Sequence, residues 1–404
     1  MNKHPSEPQE LANNVRVMTI LGSDCGLLAE AMYFLPTQEL RERAILLLPD
    51  RLANLNPDVL DVANRRFSSF QDLVELVDQN SPDIVFLCSG YLFIQQNLLS
   101  GNEFRRFIEY TQQRGCRVIT SDLFAGFMSA AVTRSATLEP TINPNKNFSP
   151  RETWILSLFV EAYEILKHLP HIYPHIYLAP SDDADPEFNS VYSYYNPESS
   201  GSCKTPESQS ILRSCLGDSF SKPYCLFAIG PEDIKIQCQQ LGLANLVAFT
   251  AEKVNQISES GRHVVLVLPD EFRESLRTTL HSLENVSLFS YLPYEDFYEL
   301  NLNAEYAFYW NVASASALFR IMYGLPTFHF SVGHLGENLP HVYKQVVRGF
   351  FPDCKPIFID QTKPFDMDVF MRLDGQAREN ATKILKSLES LPTSETLLAR
   401  LRNG

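Results

Sequence analysis

The chain is poor in the features that would place it at once in a familiar class. Its eight cysteines are scattered, with no C-x-x-C pair, which argues against a zinc or disulfide framework in so long a chain. Basic residues are in deficit, 34 Lys and Arg against 48 Asp and Glu, for a formal charge of -14. A nucleic-acid partner needs the opposite balance. Apolar runs such as Trp154–Val160 and His263–Leu268 are far too short to cross a bilayer. The opening MNKHPSEPQELANN is polar and lacks the apolar stretch of a signal peptide. There is no G-x-x-x-x-G-K-[ST], no G-x-S-x-G and no G-x-G-x-x-G, so kinase, hydrolase and ordinary dinucleotide chemistry lack their usual support. His168, His171 and His175 are close together, but Pro170 and Pro174 break the helix that would align them. No metal site is expected there. These absences predict a reduced, cytoplasmic protein without a transmembrane segment.

At 404 residues, with 45% hydrophobic and 20% charged residues, the chain has the size for two ordinary cores. In the first half Val15–Leu21, Ala44–Leu48, Asp83–Cys88 and Cys116–Thr120 read as strands separated by helical stretches. In the second half Tyr224–Ile229, His263–Leu268, Val286–Phe289, Tyr306–Trp310 and Thr327–Phe330 repeat that order. Short aliphatic runs alternating with amphipathic helices predict an α/β protein with parallel sheets covered on both faces. Two Rossmann-like domains facing across a cleft follow, with ligands expected at the strand C-termini. The predicted division is residues 1–180, a Ser- and Pro-rich linker or excursion at 181–222, a second domain at 223–360, and a helical tail at 361–404.

The segment Asn311–Ser316, NVASAS, follows a strand and opens a helix. The unpaired amides and positive dipole end of such a turn favour an anion. Small residues let a diphosphate come close, and the hydroxyls of Ser314 and Ser316 add donors. A simple helix cap at Ser314 is the alternative.

Several further residues surround that turn in a fixed order: Tyr291-Leu292-Pro293 with Glu295 and Leu300 before it, Gly324-Leu325-Pro326 and Glu337-Asn338 after it. Over residues 223–343 this wording resembles the donor-binding half of the GT-B glycosyltransferases. The resemblance implies transfer of a sugar from a nucleotide-diphosphate donor, without a metal cofactor, to an acceptor that the sequence does not name. It also implies donor-binding roles for Gly230, Leu292, Asn311, Ser314, Ser316, Glu337 and Asn338. Leu292 would lie by the base, and Glu337 and Asn338 by the sugar. One position departs. Many members carry a Glu five residues before the Gly, where it bonds the ribose; Phe319 stands there, with Arg320 beside it. Arg320 is either a phosphate partner or a solvated helix arginine.

In the first half, Gly22-Ser23-Asp24-Cys25-Gly26 follows the first strand. Asp24 is the candidate general base for the acceptor, with helix capping as the competing role. Asp122 and Phe124, after the strand ending at Thr120, are candidate acceptor-side residues; a turn explains Asp122 equally well. A non-catalytic binding or scaffold protein, and a nucleotide-sugar 2-epimerase, remain as other readings.

Overall fold

Branched aliphatic side chains on both faces of a strand can be buried only if helices cover both faces of the sheet, and that constraint shapes each half of the molecule. The computed structural model describes residues 15–22, 28, 30–31, 34–35, 37–56, 62–121, 161–162, 164–173, 189–191, 223–312, 314–331, 347, 351, 354–360, 363–389 and 391–403. Two units emerge, residues 1–202 with 387–404, and residues 203–386.

The first unit runs β1 (Val17–Leu21), α1 (Gln38–Glu42), β2 (Ala44–Pro49), α2 (Asp50–Leu55), β3 (Ala63–Phe67), α3 (Phe70–Asn80), β4 (Ile84–Cys88), α4 (Leu92–Gln95), α5 (Gly101–Gln113), β5 (Arg117–Ser121), β6 (His171–Tyr173) and β7 (Asn189–Val191). Its strands form one parallel sheet in the order β3-β2-β1-β4-β5-β6-β7. Capping boxes start α3 and α5, where Ser69 and Ser100 exchange bonds with Asp72 and Glu103.

The second unit runs β8 (Tyr224–Ala228), α6 (Pro231–Leu241), α7 (Leu243–Glu259), β9 (His263–Val267), α8 (Asp270–Thr279), β10 (Val286–Phe289), α9 (Tyr294–Asn303), β11 (Tyr306–Tyr309), α10 (Ala315–Met322), β12 (Thr327–Phe330), β13 (Phe358–Ile359) and α11 (Met367–Leu388). A last helix, α12 (Ser394–Asn403), returns to the first unit, where its Leu401 carbonyl accepts a bond from Arg117. The sheet order is β10-β9-β8-β11-β12-β13, again all parallel. Counted from the first strand of each unit, both sheets open 3-2-1-4-5, the Rossmann order, so each has a switch point between its first and fourth strands.

Pro-Asp stands at the end of the second strand in each unit, Pro49-Asp50 at β2 and Pro269-Asp270 after β9. Pro49 and Pro269 are both N-caps in extended backbone, and Asp50 and Asp270 begin the next helices, α2 and α8. Proline ends the strand, and the carboxylate suits the positive end of the helix.

The second sheet buries unlike faces. One carries Phe227, Phe308, Trp310, Phe328 and Phe330 against α7, α8 and α11. The other sets Tyr224, Leu226, Ala307 and Tyr309 against Leu300 of α9 and Ala317 of α10. Phe308 is central to the first face, with its ring 4.9 Å from Phe227 and 5.2 Å from both Phe365 and Phe370. Phe308→Ala is expected to cost about 3–5 kcal/mol in chemical denaturation; a loss within experimental error would contradict this packing.

Candidate functional site

The predicted anion turn lies where β11 ends. Trp310 closes the strand by packing its indole 4.1 Å from Phe330, ring centre to ring centre, in the aromatic core. Asn311 is half-buried, and its carbonyl accepts from the Ser314 amide at 3.3 Å. Ser314 takes the N-cap position of α10, yet its side chain does not cap the helix. Its hydroxyl pairs instead with that of Ser316 at 2.8 Å. The capping alternative therefore fails at the Ser314 side chain.

The other end of α10 is held tightly. Gly324 adopts φ 68°, and the amides of Gly324 and Leu325 donate to the carbonyls of Ile321 and Arg320 at 2.9 and 2.8 Å. This is a Schellman ending, for which glycine is suited because it lacks a Cβ. Pro326 then bars any continuation of the helix.

Arg320 contradicts both sequence expectations. It is neither a phosphate partner nor a solvated helix residue, for it is fully buried. Its guanidinium donates to the carbonyls of Pro326 at 2.9 Å and Ala304 at 3.0 Å, and also to that of Asn301. Asn301 and Ala304 lie at the C-terminal end of α9, where carbonyls have no partner within the helix. Arg320 thus caps a neighbouring helix while clamping the Gly-Leu-Pro exit of its own. Burial pulls its pKa down to about 10, with Tyr309 and Tyr224 opposing, so it stays charged at neutral pH.

Phe319, at the expected Glu position, is buried with its ring centre 5.5 Å from that of Tyr298. The Tyr298 hydroxyl donates to that of Tyr323 at 2.9 Å. This part of α10 is consequently aromatic core between two helices.

Leu292 buries its side chain in the core under α9, so a ligand can meet only its main chain. Gly230 begins α6, but its amide donates to Asp233 Oδ2 at 3.2 Å. That helix start therefore carries its own carboxylate, and the Gly230 amide is occupied. Among the predicted donor-side residues, Asn311, Ser314 and Ser316 stand together on one turn, and Gly230, Leu292 and Arg320 serve the surrounding structure. Asp24, Asp122, Phe124, Glu337 and Asn338 lie outside the described residues.

Sequence reasoning missed Asn301, Tyr309 and His329. Asn301 Nδ2 donates to the Ser316 carbonyl at 2.8 Å, and its Oδ1 accepts from the Tyr309 hydroxyl at 2.5 Å. Burial pushes the Tyr309 phenol up to about 12. An asparagine near the end of a helix is an ordinary surface residue in sequence, so it gave no signal. His329 is paired with Tyr309 across the β11–β12 ladder, with ring centres 6.1 Å apart. Neither of its ring nitrogens has a partner among the described residues.

No protein-family model matches the sequence, and no curated protein matches it. Solved structures do match. The UDP-N-acetylglucosamine 2-epimerase of Methanocaldococcus jannaschii, in complex with UDP-GlcNAc and UDP, superposes with a TM-score of 0.51 at 10% identity, covering 96% of this chain and 99% of that one. Os79 of O. sativa in complex with UDP gives 0.55 at 12% identity, covering 96% and 99%. The spinosyn rhamnosyltransferase SpnG gives 0.50 at 12%, covering 96% and 100%. At such identities the likeness establishes the fold: this chain has the GT-B-like architecture of two Rossmann-like domains.

Two consequences can be measured. Arg320→Met strands several buried carbonyls and is expected to destabilise the protein by at least about 3 kcal/mol, read by urea denaturation; a loss under about 1 kcal/mol would refute the clamp. Burial holds His329 neutral, down to about 3. The unfolded chain takes up this proton below about pH 6.5, the native state only near the folded value. Stability is therefore lost as pH falls through that window, by up to about 1.4 kcal/mol per pH unit. His171 adds a second such contribution, its pKa lowered by burial to about 4. His329→Phe should flatten the decline in Tm between pH 6.5 and 4.5, and an unchanged slope would count against this account.

Proposed function

We propose that the second unit binds a nucleotide-diphosphate sugar at the start of α10, and that the protein transfers the sugar to an acceptor. One observation carries this reading. At the C-terminal end of β11, beside the β8–β11 switch point, the chain sets a helix start of small residues whose two hydroxyls pair with each other, the Ser314 side chain making no cap. Ligands of open α/β sheets bind at switch points, and helix starts bind phosphate. The structural neighbours add support, since two of the three named above were solved with UDP.

In this scheme the first-turn amides and the helix dipole stabilise the leaving diphosphate as its charge develops. Asn311, Ser314 and Ser316 form the cradle, and the main chain at Leu292 faces the base. Glu337 and Asn338 address the sugar, Asp24 removes the acceptor proton, and Asp122 and Phe124 border the acceptor. No metal is invoked. With Phe319 in the aromatic core, no carboxylate of α10 is available to a ribose.

A 2-epimerase reading also has an observation in its favour, the likeness to the M. jannaschii epimerase. It places the same class of ligand at the same helix start. Incubation with UDP-GlcNAc separates the two: a C-2 epimer without transfer supports epimerisation, whereas sugar loss that depends on an acceptor supports transfer.

Titration with UDP, UDP-GlcNAc, UDP-glucose and dTDP-glucose should raise Tm with concentration, by the equivalent of about 2.7 kcal/mol at one hundred times Kd. Ser314→Asp puts a carboxylate at the helix start. It should stabilise the free protein by about 0.5–1 kcal/mol while abolishing the ligand-induced rise. A wild-type protein indifferent to every one of these ligands would defeat the proposal.

A further inference from the structure

We infer that Asn301 and Tyr309 are positioning residues of the diphosphate site, fixing the first turn of α10 against the end of β11. This rests on the reading of that turn as a diphosphate site.

The two residues hold both ends of the turn. Tyr309 is the last residue of β11, and Ser316 is the second of α10. Between them the chain must reverse and begin a helix. The buried Asn301 amide spans the reversal: Oδ1 accepts from the Tyr309 hydroxyl at 2.5 Å, and Nδ2 donates to the Ser316 carbonyl at 2.8 Å; the Tyr309 hydroxyl also bonds the Ser316 side chain directly. The amide cannot rotate to serve some other pair without breaking one of these bonds. Asn301 is itself immobilised, because its main-chain carbonyl accepts from Arg320. The chain of contacts therefore runs from the core of α9 to the residue that carries the Ser316 hydroxyl, which pairs with Ser314.

Packing alone does not call for this arrangement. Asn301 and Tyr309 are buried beside Leu226, Val265, Leu292, Leu300 and Ala317, on the face where the Tyr224 hydroxyl donates to the Leu300 carbonyl. An apolar pair would fill that space without the cost of desolvating an amide and a phenol. What the polar pair adds is direction, since it fixes the height and rotation of the first helical turn. Anion binding by amides depends on such placement, because donors must stand about 2.7–3.1 Å from the oxygens they serve. Both side chains are too deeply buried to reach a ligand at the helix start, so their effect passes through Ser316 and the turn.

The test uses the full chain and three probes, inorganic pyrophosphate, UDP and uridine, with affinities measured calorimetrically well below Tm. Wild type should bind pyrophosphate, and UDP more tightly than uridine. Tyr309→Phe, which removes one hydroxyl, and Asn301→Asp, which removes the donor to Ser316, should each weaken pyrophosphate and UDP by about tenfold while leaving uridine unchanged. A merely structural role would lower Tm and leave the UDP-to-uridine ratio at its wild-type value, and that result overturns the inference. Should Asn301→Asp fail to fold, Tyr309→Phe decides. If wild type itself binds neither pyrophosphate nor UDP, the diphosphate reading fails first, and the variants need not be consulted.

Discussion

The buried guanidinium of Arg320 is the constraint on which the second unit's ligand-facing edge depends. An arginine removed from water must satisfy its donors or be excluded, and here backbone carbonyls from two places in the chain do so. Some belong to the end of α9, and Pro326 belongs to the turn leading into β12. One side chain therefore fixes three elements relative to one another: the helix that carries it, the helix beside it and the strand that follows. Its hydrogen-bond partners among the described residues are all carbonyls, so the positive group sits in the interior at the negative end of α9.

The same logic, polar groups set deep to orient what lies above them, recurs one layer higher in Asn301, Tyr309 and Ser316. The two networks meet at Asn301, whose main chain serves Arg320 and whose side chain serves Tyr309 and Ser316. On the opposite face of the sheet the solution is different, a continuous aromatic core from Phe227 to Phe370. One face thus supplies cohesion, and the other supplies orientation.

How much of this was legible depended on where the signal lay. Strands buried on both faces, such as β1, β2, β4, β8 and β9, declare themselves as aliphatic runs. The edge strand β3, ANRRF, is largely exposed and has no such run, and β13 has only two residues; neither was visible. The Gly324-Leu325-Pro326 exit was legible because each residue has a local job. Arg320 was misread because an arginine on a helix is ordinarily solvated, and its partners are main-chain carbonyls that leave no trace in side-chain chemistry. Asn301 was missed for the same reason. The turn at 311–316 was read correctly as a strand-to-helix junction, but the pairing of the Ser314 and Ser316 hydroxyls could be learned only from geometry. The residues proposed for acceptor and sugar, Asp24, Asp122, Phe124, Glu337 and Asn338, lie outside the described residues.

The return of residues 387–404 to the first unit has a consequence for how the protein is made. The second unit is continuous, residues 203–386, whereas the first is closed by α12, which follows the whole of the second. On the ribosome the second unit has all its residues before the first does. The Arg117 donor must wait for the Leu401 carbonyl through the synthesis of nearly three hundred intervening residues. Until then the surface that α12 covers with Leu397, Leu398 and Leu401 is bare, and the half that begins first is the half that finishes last.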